Sequence, residues 1–338
     1  MQMGSLFFVD NKDDFYENFQ HGISISKAFT NPKWIAIATP SENYISQITA
    51  IWQPFLCKHL TEGNISNFNI HFSEGHSDRF VITLRTNQLC YQEKIKSDIL
   101  KNAELINING SGLTSPGLGW YAINDSKTIF LNDFYISDYS YQLGYLALQQ
   151  FESLLHISSS LYVKFLSSIA GEEDLLQEKS IEQIFPKQIV LACAVFKSKT
   201  EVLAFYKYRF NRIMGFFTYV KKTDLDKFVL LMETNCHAHK EMFAPFIDVL
   251  FDNVSNHAGF EEDWLNEWMN SCLKLSHTME TTKNDSLFRV YDADPYPSRW
   301  IFMDVLFYAI HNQYHIDMET ELNMYYMIID ILSEKKND

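Results

Sequence analysis

The sequence predicts an α+β fold, and three observations carry that expectation. Apolar residues alternate with period two in several short segments of the first 140 residues. From Tyr139 onward the spacing becomes helical. Hydrophobic residues make up 46% of the chain, with 27 Phe, 18 Tyr and 6 Trp, which is enough to build a sizeable core. The expected architecture is an N-terminal mixed or antiparallel sheet with helices, followed by a mainly helical C-terminal half packed on it. Residues 31–138 form the strand-rich part and 139–338 the helical part, with all 338 residues read as a single unit.

The first expected strand is WIAIAT, Trp34 to Thr39, an unbroken apolar run of strand length. The next segment, SENYISQITAIWQPFLCKHL, spaces Ile45, Ile48, Ile51, Phe55 and Leu56 as a helix. Pro54 should kink or split it. Two alternating stretches follow. NFNIHFS points Phe68, Ile70 and Phe72 one way, and RFVITLRT does the same with Phe80, Ile82 and Leu84. The opposite face carries Asn69, His71, Arg79, Val81, Thr83 and Arg85. GWYAINDSKTIFLNDFY reads as a second hairpin turning near Asn124 and Asp125.

Helices are then expected over YQLGYLALQQFESLLHISSSLYVKFLSSI, KTEVLAFYKYRFNRIMGFFTYV, DLDKFVLLMETNCHAH, FAPFIDVLFDNV and EEDWLNEWMNSCLKL. SRWIFMDVLFYAIHNQYHI and METELNMYYMIIDIL close the series. GEEDLLQEKS and METTKNDS are low in hydrophobicity and read as joints. There is no internal repeat.

The net charge of −14 repels a phosphate backbone, so nucleic acid is not the expected direct partner. Five scattered cysteines without a CxxC fit reduced thiols in a cytoplasmic protein. The opening MQMGSLFFVDNKDD has no basic region ahead of an apolar one. The longest apolar run, Ile189 to Phe196, is too short to span a bilayer. A soluble protein without a membrane role is therefore expected.

YAIHNQYHID sets His311 and His315 four apart, a spacing that places both imidazoles on one face of a helix. With Cys236, His237 and His239 of CHAHK they could hold zinc. However, the pair lacks the glutamate of HExxH, and His237 and His239 are two apart. The plainer reading of CHAHK is a fraying helix end, and no metal is expected. There is no G-x-S-x-G, P-loop or G-x-G-x-x-G, so no nucleotide or nicotinamide cofactor is implied. His156 stands at helical spacing between Phe151 and Leu161 and reads as an interior side chain. The hairpin's polar face has two readings. It is a solvated sheet face, or a site where Arg85, flanked by Thr83 and His71, forks onto a carboxylate.

Four stretches carry a resemblance to a known family. They are KWIAIATPSENYISQITAIWQPFL, FNIHFSEGHSDRFVITLR, YISDYSYQLGYLALQQFESLLHISSSLYVKFL and FYAIHNQYHIDMETELNMYYMIIDIL. Their order and phrasing resemble the small C-terminal, glutamate-eliminating domain of class I lantibiotic dehydratases. That domain is also found as stand-alone thiopeptide-type bacteriocin biosynthesis proteins. The second stretch stands where the family writes FFIRY…HLRLR, the third where it writes Y-x-x-E-x-x-R-Y-G-G, and the fourth where it writes S-x-x-H-M-x-x-N-R.

The resemblance implies a lyase of ribosomal peptide biosynthesis. It would remove glutamate from glutamylated Ser or Thr of a precursor peptide and leave a dehydroamino acid. It also implies the precursor peptide and a larger glutamylating dehydratase as partners, with a homodimer as a further option and no cofactor. Carried over residue by residue, Arg85 matches the last arginine of HLRLR, and His311 matches the family's histidine. These two are the expected catalytic residues, lining one cleft. The expected substrate-binding set is His71, Thr83, Asp138, Tyr141 and His315. The chain departs from the family at several of these positions. Thr83 and Tyr141 replace arginines, His71 replaces the arginine of FFIRY, and Asp138 stands for the glutamate of Y-x-x-E. These losses keep open two alternatives, a pyridine-forming cyclisation enzyme of thiopeptide type and a non-catalytic peptide- or partner-binding subunit.

Overall fold

The structure is a computed structural model. It describes residues 34–40, 43–73, 76–88, 90–101, 120–122, 129–131, 145–169, 176–221, 225–281 and 298–334. The α+β expectation holds: a five-stranded antiparallel sheet is followed by long helices. The described residues fall into two compact units. One draws on the stretches Tyr16–Leu176 and Thr282–His315, the other on Gln177–Thr281 and Ile316–Asp338.

In the first unit the sheet order is β2-β3-β1-β5-β4, with β1 at Trp34–Pro40, β2 at Ile65–Ser73 and β3 at His76–Thr86. Two short strands, β4 (Trp120–Ala122) and β5 (Ile129–Leu131), complete it. They pair Trp120 with Leu131 and Ala122 with Ile129, which is the second expected hairpin. The first hairpin keeps the expected register, with Phe68 opposite Leu84, Ile70 opposite Ile82 and Phe72 opposite Phe80. β1 extends that face by setting Ile35 and Ile37 beside Leu84 and Ile82. All eight side chains are buried, which is what period-two alternation demands of a half-covered sheet.

The segment after β1 covers this apolar face. Tyr44 meets the Phe72 ring edge-on at 4.9 Å, and the Thr39 hydroxyl donates to Gln47 Oε1 at 3.3 Å. The helix there is split, as the proline requires. A π-helical stretch, Gln47–Trp52, precedes α1 (Gln53–Thr61), which has Pro54 in its first turn. Proline has no N–H to donate and its ring crowds the carbonyl four residues back, so the wider π turn absorbs the misfit. Helix α2 (Cys90–Lys101) was not anticipated, and α3 (Tyr145–Ser168) was.

The second unit holds α4 (Leu176–Phe196), α5 (Lys199–Lys221), α6 (Leu225–Asn256), α7 (Asp263–Thr281) and α9 (Met318–Glu334). The remaining helix, α8 (Ser298–Gln313), belongs to the first. Two sequence readings are corrected here. The stretch GEEDLLQEKS is not wholly a joint, because α4 begins inside it at Leu176. The two helices expected to end at His239 and to begin at Phe243 are one continuous α6, with Pro245 tolerated inside it. His237 and His239 therefore sit mid-helix and exposed, not at a fraying end, while Cys236 is buried and donates to Asp330 Oδ2 at 3.5 Å.

Two buried cations mark this unit. Arg209 of α5 donates from Nη2 to Glu321 Oε1 at 2.6 Å and from Nε to the Tyr325 hydroxyl at 2.5 Å. Tyr325 in turn donates to the same Glu321 oxygen at 2.6 Å. These bonds tie α5 to α9. Lys187 of α4 is fully buried, with its ammonium 5.4 Å from the Trp268 ring centroid and 5.9 Å from that of Trp264. Burial pushes its amine down to about 7.

Removing one partner of a buried ion pair strands the other charge, which typically costs about 3–5 kcal/mol. Glu321→Leu should lower the urea unfolding free energy by that order. Arg209→Met combined with Glu321→Leu should recover most of it. A double variant as unstable as the single would show that the triad is held by packing and not by charge.

Candidate functional site

The second face of the β2–β3 hairpin sets Asn69 opposite Thr83, His71 opposite Val81 and Asn67 opposite Arg85. The sequence left this face either solvated or a site. The structure rules out the solvated reading, because His71, Val81 and Thr83 are all buried. Helices α3 and α8 account for it. Glu152 of α3 reaches Arg85, while Ser159 of α3 and Gln313 of α8 reach Asn69.

A compact hydrogen-bond cluster results. The Gln313 amide donates to Asn69 Oδ1 at 2.6 Å, to Ser159 Oγ at 2.8 Å and to the Leu155 carbonyl at 3.2 Å. Ser159 Oγ donates to Asn69 Oδ1 at 3.0 Å and accepts the Ile70 N–H at 3.0 Å. His156 Nδ1 accepts the Phe68 N–H at 3.1 Å. Phe68 and Ile70 lie on β2, which ends the sheet order, so α3 side chains satisfy donors that the ladder leaves open. His156 is thus more than an interior side chain, since it seals the strand edge.

Arg85 is about a quarter exposed and pairs through Nη1 with Glu152 Oε2 at 3.1 Å. Glu152 is buried, at 7%. A guanidinium has five N–H donors in a planar fork, so Glu152 does not exhaust it. Nothing in the sequence singled out Glu152. It is sixty-seven residues from Arg85, and only α3 packing along the β2–β3 hairpin brings the two together.

His71 lies 3.2 Å from the Asn69 side-chain nitrogen through Nδ1. Burial lowers its imidazole to about 3, so it is neutral at physiological pH and cannot stand in for a lost arginine as a cation. Thr83 is buried, and its hydroxyl has no hydrogen-bond partner among the described residues. The carbonyl oxygen of the Gln313 amide is likewise unmatched. Buried polar atoms left in this state call for an explanation, and a ligand is one.

His311 is buried in the last turn of α8, with the Phe307 ring 6.2 Å away. His315 is elsewhere. α8 stops at Gln313, and His315 follows it with φ +53, in the left-handed conformation that closes many helices. It is exposed and stacks on Phe72 at 4.5 Å. The expectation that His311 and His315 share one helix face is therefore wrong, because the helix ends between them. Asp138 and Tyr141 lie outside the described residues. No group of three or more His, Cys, Asp or Glu among the described residues is arranged to hold a metal ion. No described helix is long and apolar enough to cross a membrane.

Fold and site together define an α+β protein whose buried polar strand face is roofed by two helices and edged by an arginine–glutamate pair. No family model matches the chain, and no curated protein matches it in sequence. Among solved structures, the crystal structure of TsrL is similar with a TM-score of 0.60 at 13% identity, over 90% of this chain and 95% of that one. At that identity the likeness is one of fold.

The cluster's chemistry sets two expectations. Ser159→Ala removes the acceptor of the Ile70 N–H and one acceptor of Gln313, and orphaned buried donors cost about 1–3 kcal/mol. A loss of that order in unfolding free energy should appear on urea titration. His71 stays neutral in the fold, whereas the unfolded chain takes up its proton near about pH 6.5. The unfolded state thus binds more protons between about 6.5 and 3, so the contribution is whole above that window and is lost as pH falls through it. His71→Gln should flatten the pH dependence of unfolding between about pH 6 and 4, by up to about 1.4 kcal/mol per pH unit. An unchanged slope would mean that His71 is hydrated.

Proposed function

We propose that the chain is a peptide-modifying lyase that eliminates glutamate from glutamylated Ser or Thr of a precursor peptide. The observation that carries the reading is the polar strand face. Arg85 stands at its edge with donors to spare beyond Glu152, and α8, which bears His311, is anchored on it through Gln313. Two further facts support the pathway. Four stretches of sequence resemble the eliminating domain of lantibiotic dehydratases, and the fold is similar over 90% of this chain to that of TsrL.

In the proposed step a base takes the Cα proton of the modified residue. The Cα–H electron pair becomes the Cα=Cβ bond, the Cβ–O bond breaks, and glutamate leaves as a carboxylate. Arg85 forks onto that carboxylate as charge develops, a geometry that lysine cannot reproduce. His311 carries the proton, since an imidazole can both donate and accept one. Thr83, with a free hydroxyl on the same face, is suited to bind substrate through a neutral hydrogen bond.

A second reading keeps the site and changes the reaction. The positions that match family arginines are here Thr83, His71 and Tyr141, which leaves less positive charge for glutamate. A pyridine-forming cyclisation of two dehydroalanines needs no glutamate grip and is favoured by that loss.

Mass spectrometry of a glutamylated precursor incubated with the protein tests both readings. Elimination releases glutamate. His311→Ala should slow it by about a hundred- to ten-thousand-fold, the usual worth of general acid–base help, while peptide binding persists. Arg85→Lys should also slow turnover strongly. No glutamate release with the cognate peptide and the larger dehydratase present would overturn elimination. Ring formation from dehydrated peptide would establish cyclisation in its place.

A further inference from the structure

Of the two groups that meet at the edge of the polar face, the carboxylate is the one closed to water. The Glu152 side chain is 6% exposed and the Arg85 side chain 26%. Glu152 Oε2 accepts from Arg85 Nη1 at 3.1 Å. Among the described residues this is the one side-chain bond that Arg85 makes, so its Nε–Nη2 edge stays open as a complete fork. A carboxylate seated on that edge would lie about 7 Å from that of Glu152, with the guanidinium between them. Two anions then share one cation. Near a protein surface, like charges at that separation weaken each other's binding by about tenfold.

We infer that Glu152 is a positioning residue with two effects: it holds the plane of Arg85 ready for a carboxylate, and it keeps the affinity for that carboxylate low. The inference rests on the reading that Arg85 receives the glutamate that leaves. Before the Cβ–O bond breaks, the group at Arg85 is an ester, whose carbonyl oxygen accepts from the fork without carrying a full charge. After the break it is a carboxylate. The charge is only partly developed in the transition state, so the opposition from Glu152 falls most heavily on the departed product. Glu152 therefore loosens glutamate more than it loosens the esterified peptide, and the site empties after each turnover. A second cation in place of Glu152 would do the reverse and retain the product. Sequence distance hides this pairing, but burial makes it firm: a carboxylate that water does not reach keeps one position, and so does the guanidinium bonded to it.

Equilibrium binding of L-glutamate to the full chain, read by titration calorimetry, tests the proposal. Glu152→Gln keeps an acceptor for Nη1 and removes the charge, so glutamate should bind it about tenfold more tightly than wild type. Glu152→Met keeps the length but neither charge nor acceptor, and its affinity should fall between the two. Arg85→Met added to Glu152→Gln should abolish the gain. A folded Glu152→Gln or Glu152→Met protein, checked by circular dichroism, that binds glutamate no more tightly than wild type overturns the inference. So does a gain that survives Arg85→Met. The result is separable from the reaction. Glutamate release from peptide without the gain refutes the role of Glu152 alone, whereas the gain without release upholds that role and refutes elimination.

Discussion

The open edge of β2 is the constraint on which the first unit depends. A strand that ends a sheet presents donors that must find acceptors, and here they cannot go to water, because α3 lies along that edge. Ser159 and His156 accept the Ile70 and Phe68 N–H groups in its place. This fixes how α3 runs beside the strand. With α3 fixed, Glu152 falls at Arg85, and Ser159 is left to hold Asn69 and Gln313. Gln313 then pins the end of α8. The position of His311, two residues earlier, follows from a hydrogen-bond requirement on another element.

The same packing sets the chemistry of the face. A polar strand face exposed to water would keep its histidine titratable and its arginine fully hydrated. Under two helices, His71 loses its ability to carry charge and becomes a neutral partner of Asn69. Arg85 keeps partial exposure and one buried carboxylate partner. Burial therefore separates two residues that share a strand face, and only one of them can meet an anion.

The strand pairing was legible in the sequence because period-two alternation survives whatever covers the sheet. Phe68, Ile70 and Phe72 meet Phe80, Ile82 and Leu84 in the expected register. The fate of the opposite face was not legible. Asn69, His71 and Thr83 are polar, and polarity alone cannot say whether a helix some ninety residues away will bring Ser159 to meet them. The helix ends were misread for local reasons. CHAHK looked like a terminus because of its polarity, yet Cys236 and Lys240 face Asp330 while His237 and His239 face water. HNQYH looked like a helical i, i+4 pair, yet the chain turns left-handed at His315. Lys187, just before an apolar run, gave no sign that Trp264 and Trp268 would enclose it.

The two arginines that meet buried carboxylates differ in what they leave open. Arg209 is enclosed, and its Nε and Nη2 are committed to Tyr325 and Glu321 on one neighbouring helix. Its charge is neutralised where no ligand arrives, so it secures the packing of α5 on α9. Arg85 commits Nη1 to Glu152 and, among the described residues, leaves its remaining donors uncommitted. A guanidinium held by one carboxylate is oriented without being saturated. It can take a second carboxylate without first moving its plane, and orientation set before binding is what charge stabilisation in a developing transition state requires.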